Sequence, residues 1–141
     1  MLVLRERLEA GQKVRFLAFR GVSMMPMLRQ GKDSVELSPL PSVLKKYDLP
    51  VYQYPSGKYV IHRVIEVRED CYVCMGDNTY SYEYIPSEWM IGIVSAFKRG
   101  EREISVHAPL YRLYSRVWVA GYPVRKMLRQ LYHGVKRRLR R

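Results

Sequence analysis

Cysteine is scarce in this 141-residue chain, as are long apolar runs and, beyond residue 103, acidic side chains. The two cysteines, Cys71 and Cys74, form a lone Cys-x-x-Cys. A zinc site needs about four ligands, and no second pair or nearby histidine cluster supplies the rest. Three residues apart on a strand, the two thiols face opposite sides, and a thioredoxin-like pair would want a helix N-terminus behind it. They read as free thiols of a reducing compartment, with no metal and no cofactor expected. No stretch approaches the roughly 18 consecutive apolar residues of a membrane span. The opening Met-Leu-Val-Leu-Arg-Glu-Arg-Leu-Glu carries charges where an export signal has its apolar region. The expectation is a chain with neither spanning helix nor signal peptide, cytoplasmic or at the membrane periphery.

The charge is unevenly placed. Twenty-five Lys and Arg stand against thirteen Asp and Glu, and residues 104–141 hold ten of the former and none of the latter. That segment therefore carries +10 of the net +12 and leaves +2 for residues 1–103, which suggests a domain over 1–103 and a tail over 104–141. In the tail, Leu110, Leu113, Tyr114, Val117 and Trp118, then Val124, Met127, Leu128, Leu131, Tyr132, Val135 and Leu139, recur at steps of three and four, the signature of a helix with one apolar stripe. Gly121-Tyr122-Pro123 interrupts the pattern, so two helical pieces are expected. A basic amphipathic helix suits the interface of an anionic membrane; it equally suits packing on the domain with a solvated basic face. Nucleic acid is the weaker partner, because no groove-reading motif accompanies the charge.

With 48% hydrophobic residues, the chain is long enough for one core. A helix is expected over residues 2–9, ending at Gly11, then a strand over 14–20 and another over 35–37. A proline-punctuated loop with one helical turn at 43–47 follows, then a hairpin of 51–54 and 58–67 about Pro55-Ser56-Gly57, and strands over 71–75 and 89–97. Many short antiparallel strands argue for a mainly β, α+β fold: a small barrel or coiled sheet with a basic amphipathic helical tail.

Three blocks carry chemistry: Gly21-Val22-Ser23-Met24-Met25-Pro26-Met27-Leu28, Ile61-His62-Arg63-Val64 and Met75-Gly76-Asp77-Asn78. Each alone is ordinary: Ser23 and Asp77-Asn78 as turn residues, His62 as a histidine in an alternating strand. Together they offer a nucleophile, a base and an acid. Spacings of 39 and 15 residues mean that the fold must bring separate segments together.

These blocks, in this order and within residues 14–97, resemble the signature blocks of type I signal peptidases and their LexA-type relatives. Most bacterial members use lysine as base, whereas the archaeal and endoplasmic-reticulum branch has histidine, which His62 matches. In that branch a second acid beyond Gly-Asp-Asn supports the histidine; here either Asp77 or Glu83 could face the imidazole. The chain departs from the pattern at Gly21, where lysine-type enzymes often place a serine that helps stabilise the oxyanion, and at Lys32, inserted between Gly31 and Asp33. The oxyanion would rest on the Ser23 N–H and a second donor that the sequence does not identify. Arg63 is expected to support the loop rather than react. The resemblance implies a serine endopeptidase of signal-peptidase type, cleaving a leader or signal-type peptide after small side chains, with an extended substrate paired to a strand edge. The alternatives are a LexA-like sensor or peptide binder without turnover, and a peripheral membrane protein acting through its basic tail.

Overall fold

Short apolar alternations broken by Pro and Gly become antiparallel strands in a computed structural model that describes residues 2–17, 21 and 23–141. The elements in chain order are α1 (Leu2–Glu9), β1 (Val14–Leu17), β2 (Ser34–Pro39), β3 (Pro50–Gln53), β4 (Tyr59–Ile61), β5 (Arg63–Val67), β6 (Tyr72–Met75), β7 (Glu83–Ile85), β8 (Met90–Arg99), β9 (Arg102–Ser105), α2 (Pro109–Ala120) and α3 (Tyr122–Leu139). One sheet runs β1-β2-β8-β3-β4 with β9 added to β8; the other runs β5-β6-β7. The result is a mixed α+β molecule built on a curled antiparallel half-barrel.

The curl has a local cause. Register slips at Glu36/Leu37 against β8, and again at Val51/Tyr52, leave Ser95 and Ile91 as extra residues on β8. Such bulges bend a strand and raise its twist. The Ser95 hydroxyl fills the first bulge by donating to the Glu36 carboxylate at 2.9 Å. α1 closes one face, with Leu8 1% exposed and packed over Gly92, where an added Cβ would come within 2.8 Å of its side chain. Two apolar clusters result. One gathers Leu8, Val35, Leu37, Val51, Ile91, Val94 and Phe97; the other gathers Leu44, Tyr52, Val60, Val64, Cys74, Ile85 and Met90.

Several local expectations are corrected. The single strand expected over residues 58–67 splits at His62: β4 belongs to the large sheet and β5 to the small one. Val64 N–H donates to the Asp48 carbonyl and receives Tyr47 N–H on its own carbonyl, so the loop before β3 seizes the chain just past the split. Residues 43–47 make no helical turn; they form a loop in which Leu44 plugs the second cluster and Tyr47 takes φ +79°. β7 and β9 are strands that the sequence reading did not mark, and β9 runs across the divide expected after residue 103. Of the strand expected over 14–20, residues 18–20 lie outside the described residues. The two helical pieces of the tail are α2 and α3, meeting at Gly121, with Pro123 in the first turn of α3 where its missing N–H costs nothing.

Candidate active site

The serine loop is held by its own methionines. Met24, Met27 and Leu28 are each about 95% buried in the larger apolar cluster, while Met25 and Pro26 ride exposed at the turn, joined by a cis peptide. Three such side chains, each contributing roughly 1.5–3 kcal/mol on burial, fix the half-buried Ser23 at the rim of the core. Gly21 sits at φ +113°, a conformation that favours glycine, and its N–H donates to the Gln30 side chain at 3.0 Å. Val22 lies outside the described residues.

His62 occupies the split between β4 and β5 and is 6% exposed. Its Nδ1 lies 3.2 Å from Glu83 Oε2 and 3.0 Å from the Tyr52 hydroxyl, which donates to the same carboxylate oxygen at 2.6 Å. Burial alone would raise the Glu83 carboxyl, but hydrogen bonds from His62, Tyr52 and Tyr54 outweigh it and hold the group down at about 2. An ionised acceptor on Nδ1 fixes the proton on that nitrogen and leaves the Nε2 lone pair as the basic one. The Tyr52 hydroxyl is pushed far above its ordinary range, first by burial and then by Glu83, so it stays a donor. Tyr54 is raised to about 12 for the same reasons.

Asp77 has other partners. Arg63 Nε and Nη2 clamp its two carboxylate oxygens at 2.8 and 2.9 Å, and the Tyr114 hydroxyl donates to Oδ2 at 3.0 Å. Arg63 is itself wholly buried, and its Nη1 reaches the Tyr111 hydroxyl at 3.0 Å and the Ser115 hydroxyl at 2.9 Å on α2. The sequence left open which acid faces the imidazole; Glu83 does, and Asp77 faces Arg63.

The three blocks interlock through small contacts. Asn78 N–H donates to the Ser23 carbonyl at 2.7 Å, Asp77 N–H to the Met24 sulfur at 3.4 Å, and Arg63 Nη2 to the Met27 sulfur at 3.4 Å. Gly76 lies where they meet. A Cβ there would stand 2.6 Å from the Ser23 carbonyl oxygen and 3.1 Å from His62 Cδ2, so only glycine lets the three backbones close up.

Ser23, His62 and Glu83 line one open cavity of about 280 Å³, with Gly21, Tyr54, Lys58, Tyr59, Ile61 and Thr79 among the other walls. Tyr52 and Tyr54, which hold the carboxylate, were not singled out in the sequence; their i, i+2 spacing, putting both on one face of an extended chain, was the available signal. Neither Cys71 nor Cys74 lines the cavity, although Cys74 lies opposite Glu83 in the β6–β7 ladder and in one apolar cluster with Tyr52. Both are unpaired thiols, and burial raises that of Cys74 to about 12. Among the described residues no group of three or more His, Cys, Asp or Glu is placed to hold a metal. No family model, no curated protein and no solved structure matches the chain.

Proposed function

We propose that the chain is a serine endopeptidase of signal-peptidase type, with Ser23 as nucleophile, His62 as general base and Glu83 orienting the imidazole. The observation that carries this reading is the meeting of three sequence-distant blocks around Gly76, with an ionised carboxylate on His62 Nδ1 and the serine in the same cavity. A structural histidine needs no such arrangement on its inner nitrogen, and a turn serine needs no neighbouring base.

In the reaction, Ser23 Oγ attacks a peptide carbonyl carbon as its proton passes to His62 Nε2. Glu83 offsets the imidazolium charge while staying ionised. The C–N bond then breaks, the proton moves from Nε2 to the leaving amine, and water releases the acyl group by the same exchange in reverse. The Ser23 N–H is one oxyanion donor, and Lys58 brings a positive charge to the cavity wall. Asp77 and Arg63 act as positioning residues: their buried pair keeps the β5 end and the Gly76 turn in register.

β1 and β4 end the large sheet's path, and β4 leads directly into His62. An extended substrate paired to a strand edge is what the family resemblance implies. Cleavage after small side chains is what the family resemblance implies.

The test is to incubate the protein with peptides carrying small residues before the scissile bond and read products by mass spectrometry. Cleavage that disappears in both Ser23→Ala and His62→Ala supports the reading. Binding of the same peptides without turnover, unchanged in Ser23→Ala, would favour a peptide-binding sensor instead.

A further inference from the structure

α3 is an 18-residue helix that hardly touches the molecule it belongs to. Its one buried residue is Tyr122, whose hydroxyl donates to the Tyr80 carbonyl at 3.1 Å. Arg129 stacks over the Tyr80 ring at 4.4 Å and Arg125 over Trp118 at 4.0 Å, so the helix is fastened at its first two turns. Its apolar side chains are not: Val124, Met127, Leu128, Leu131, Tyr132 and Val135 are 53–63% exposed and Leu139 is 82% exposed. The expectation that the tail packs on the domain holds for α2, through Tyr111, Tyr114, Ser115 and Trp118, and is not met by the stripe of α3. Leu110, Leu113 and Val117 on α2 are exposed too, an apolar row at steps of three and four on the helix before Gly121. No helix among the described residues is long and apolar enough to cross a membrane.

We propose that α2 and α3 lie in the plane of an anionic lipid bilayer, with this stripe seated at the acyl boundary and the flanking Arg and Lys on the headgroups. Charge complementarity selects this occupant. The ten cations of residues 104–141 stand without one acid, and such a segment is drawn to anionic headgroups while its apolar face leaves water. A second copy of the chain would set two such cationic helices together with nothing to neutralise them. A nucleic acid would meet the cations and leave the stripe in water. The docking has a geometric consequence for the cavity described above. α2 is hydrogen-bonded to the site's own framework through Trp118 Nε1 to the Asp77 carbonyl, Tyr114 to the Asp77 carboxylate, and Arg63 to Tyr111 and Ser115. A seated α2 thus fixes the Ser23 and His62 cavity at a constant height and orientation over the bilayer.

The experiment is flotation of the full chain with phosphatidylcholine vesicles, with and without about one-third phosphatidylglycerol. At least about tenfold more protein is expected on the anionic vesicles, falling as salt is raised. A double variant, Leu128→Glu with Leu131→Glu, is expected to lose about tenfold or more of that binding. A second, Val135→Ser with Leu139→Ser, sits far from the domain and is expected to lose it with an unchanged thermal melt. Failure of the wild-type chain to float on anionic vesicles overturns the proposal, as does binding undiminished in both variants. So does a wild-type dimer that the variants convert to monomer, or oligonucleotide binding tighter than vesicle binding and retained in the variants. Ser23→Ala is expected to float as wild type does, so this result stands or falls apart from the peptidase reading.

Discussion

Glu83 and Asp77 are carboxylates six residues apart, and their neighbours divide the work. Glu83 sits on His62 Nδ1 and on two tyrosine hydroxyls, half-open to the cavity; Asp77 is sealed with Arg63. Glu83→Gln is expected to keep the fold and to lower kcat roughly 10²- to 10⁴-fold, the range for a mis-set general base, read by steady-state kinetics. Removing either member of the Arg63 and Asp77 pair is expected to destabilise by about 3–5 kcal/mol, because the other charge is left buried alone; chemical denaturation of Arg63→Ala measures it. The pH dependence follows from the depressed Glu83 carboxyl. Its folded value of about 2 lies below the ordinary 4.5, so its stabilising contribution is whole above pH 4.5 and lost as pH falls towards 2. The stability gap between wild type and Glu83→Gln, followed by thermal melts, is expected to be constant at neutral pH and to close in that acid window.

At the scale of elements, glycines separate what the site needs from what the helix tolerates. Gly76→Ala would drive a methyl into the Ser23 carbonyl and the His62 ring, and is expected to lower both Tm and activity. Gly134, inside α3 with nothing within 4 Å, is the contrast: Gly134→Ala is expected to firm that helix by about 0.5–1 kcal/mol, seen as greater helical circular dichroism with activity unchanged. Much of the element plan was legible in the sequence. α1, the Tyr54–Lys58 turn and the break at Gly121 each follow from a local signal: a Gly stop, a Pro-Ser-Gly turn, a Gly-Tyr-Pro interruption. What escaped was set by pairing at a distance. Glu83–Ile85 becomes a strand because β6 offers it an edge, and the alternation through Tyr59–Val67 shows no sign of the split at His62, which the Asp48 loop imposes from elsewhere in the chain.

Across the whole molecule, α2 is tied by hydrogen bonds to the framework of the serine site, whereas α3 is fastened only at its first turns. The Arg63 guanidinium joins the small sheet to α2, and Asp77 receives α2 through Tyr114 and Trp118. The motif blocks offered Ser23, His62 and Asp77 as candidates because those residues lie in short recognisable runs, whereas Glu83, beyond the last block, was a candidate only through the family resemblance. They could not assign the acids, since the Arg63 clamp and the tyrosine pair come together only when β3, β5, β7 and α2 meet. The most direct measurement is an acid-quenched reaction with a cleavable peptide, followed by mass mapping of any acyl group left on the protein. An adduct on the peptide containing Ser23, absent in Ser23→Ala and strongly reduced in His62→Ala, is the expected result. Cleavage that persists in Ser23→Ala, or an adduct mapped to another residue, would contradict the assignment of Ser23 as nucleophile.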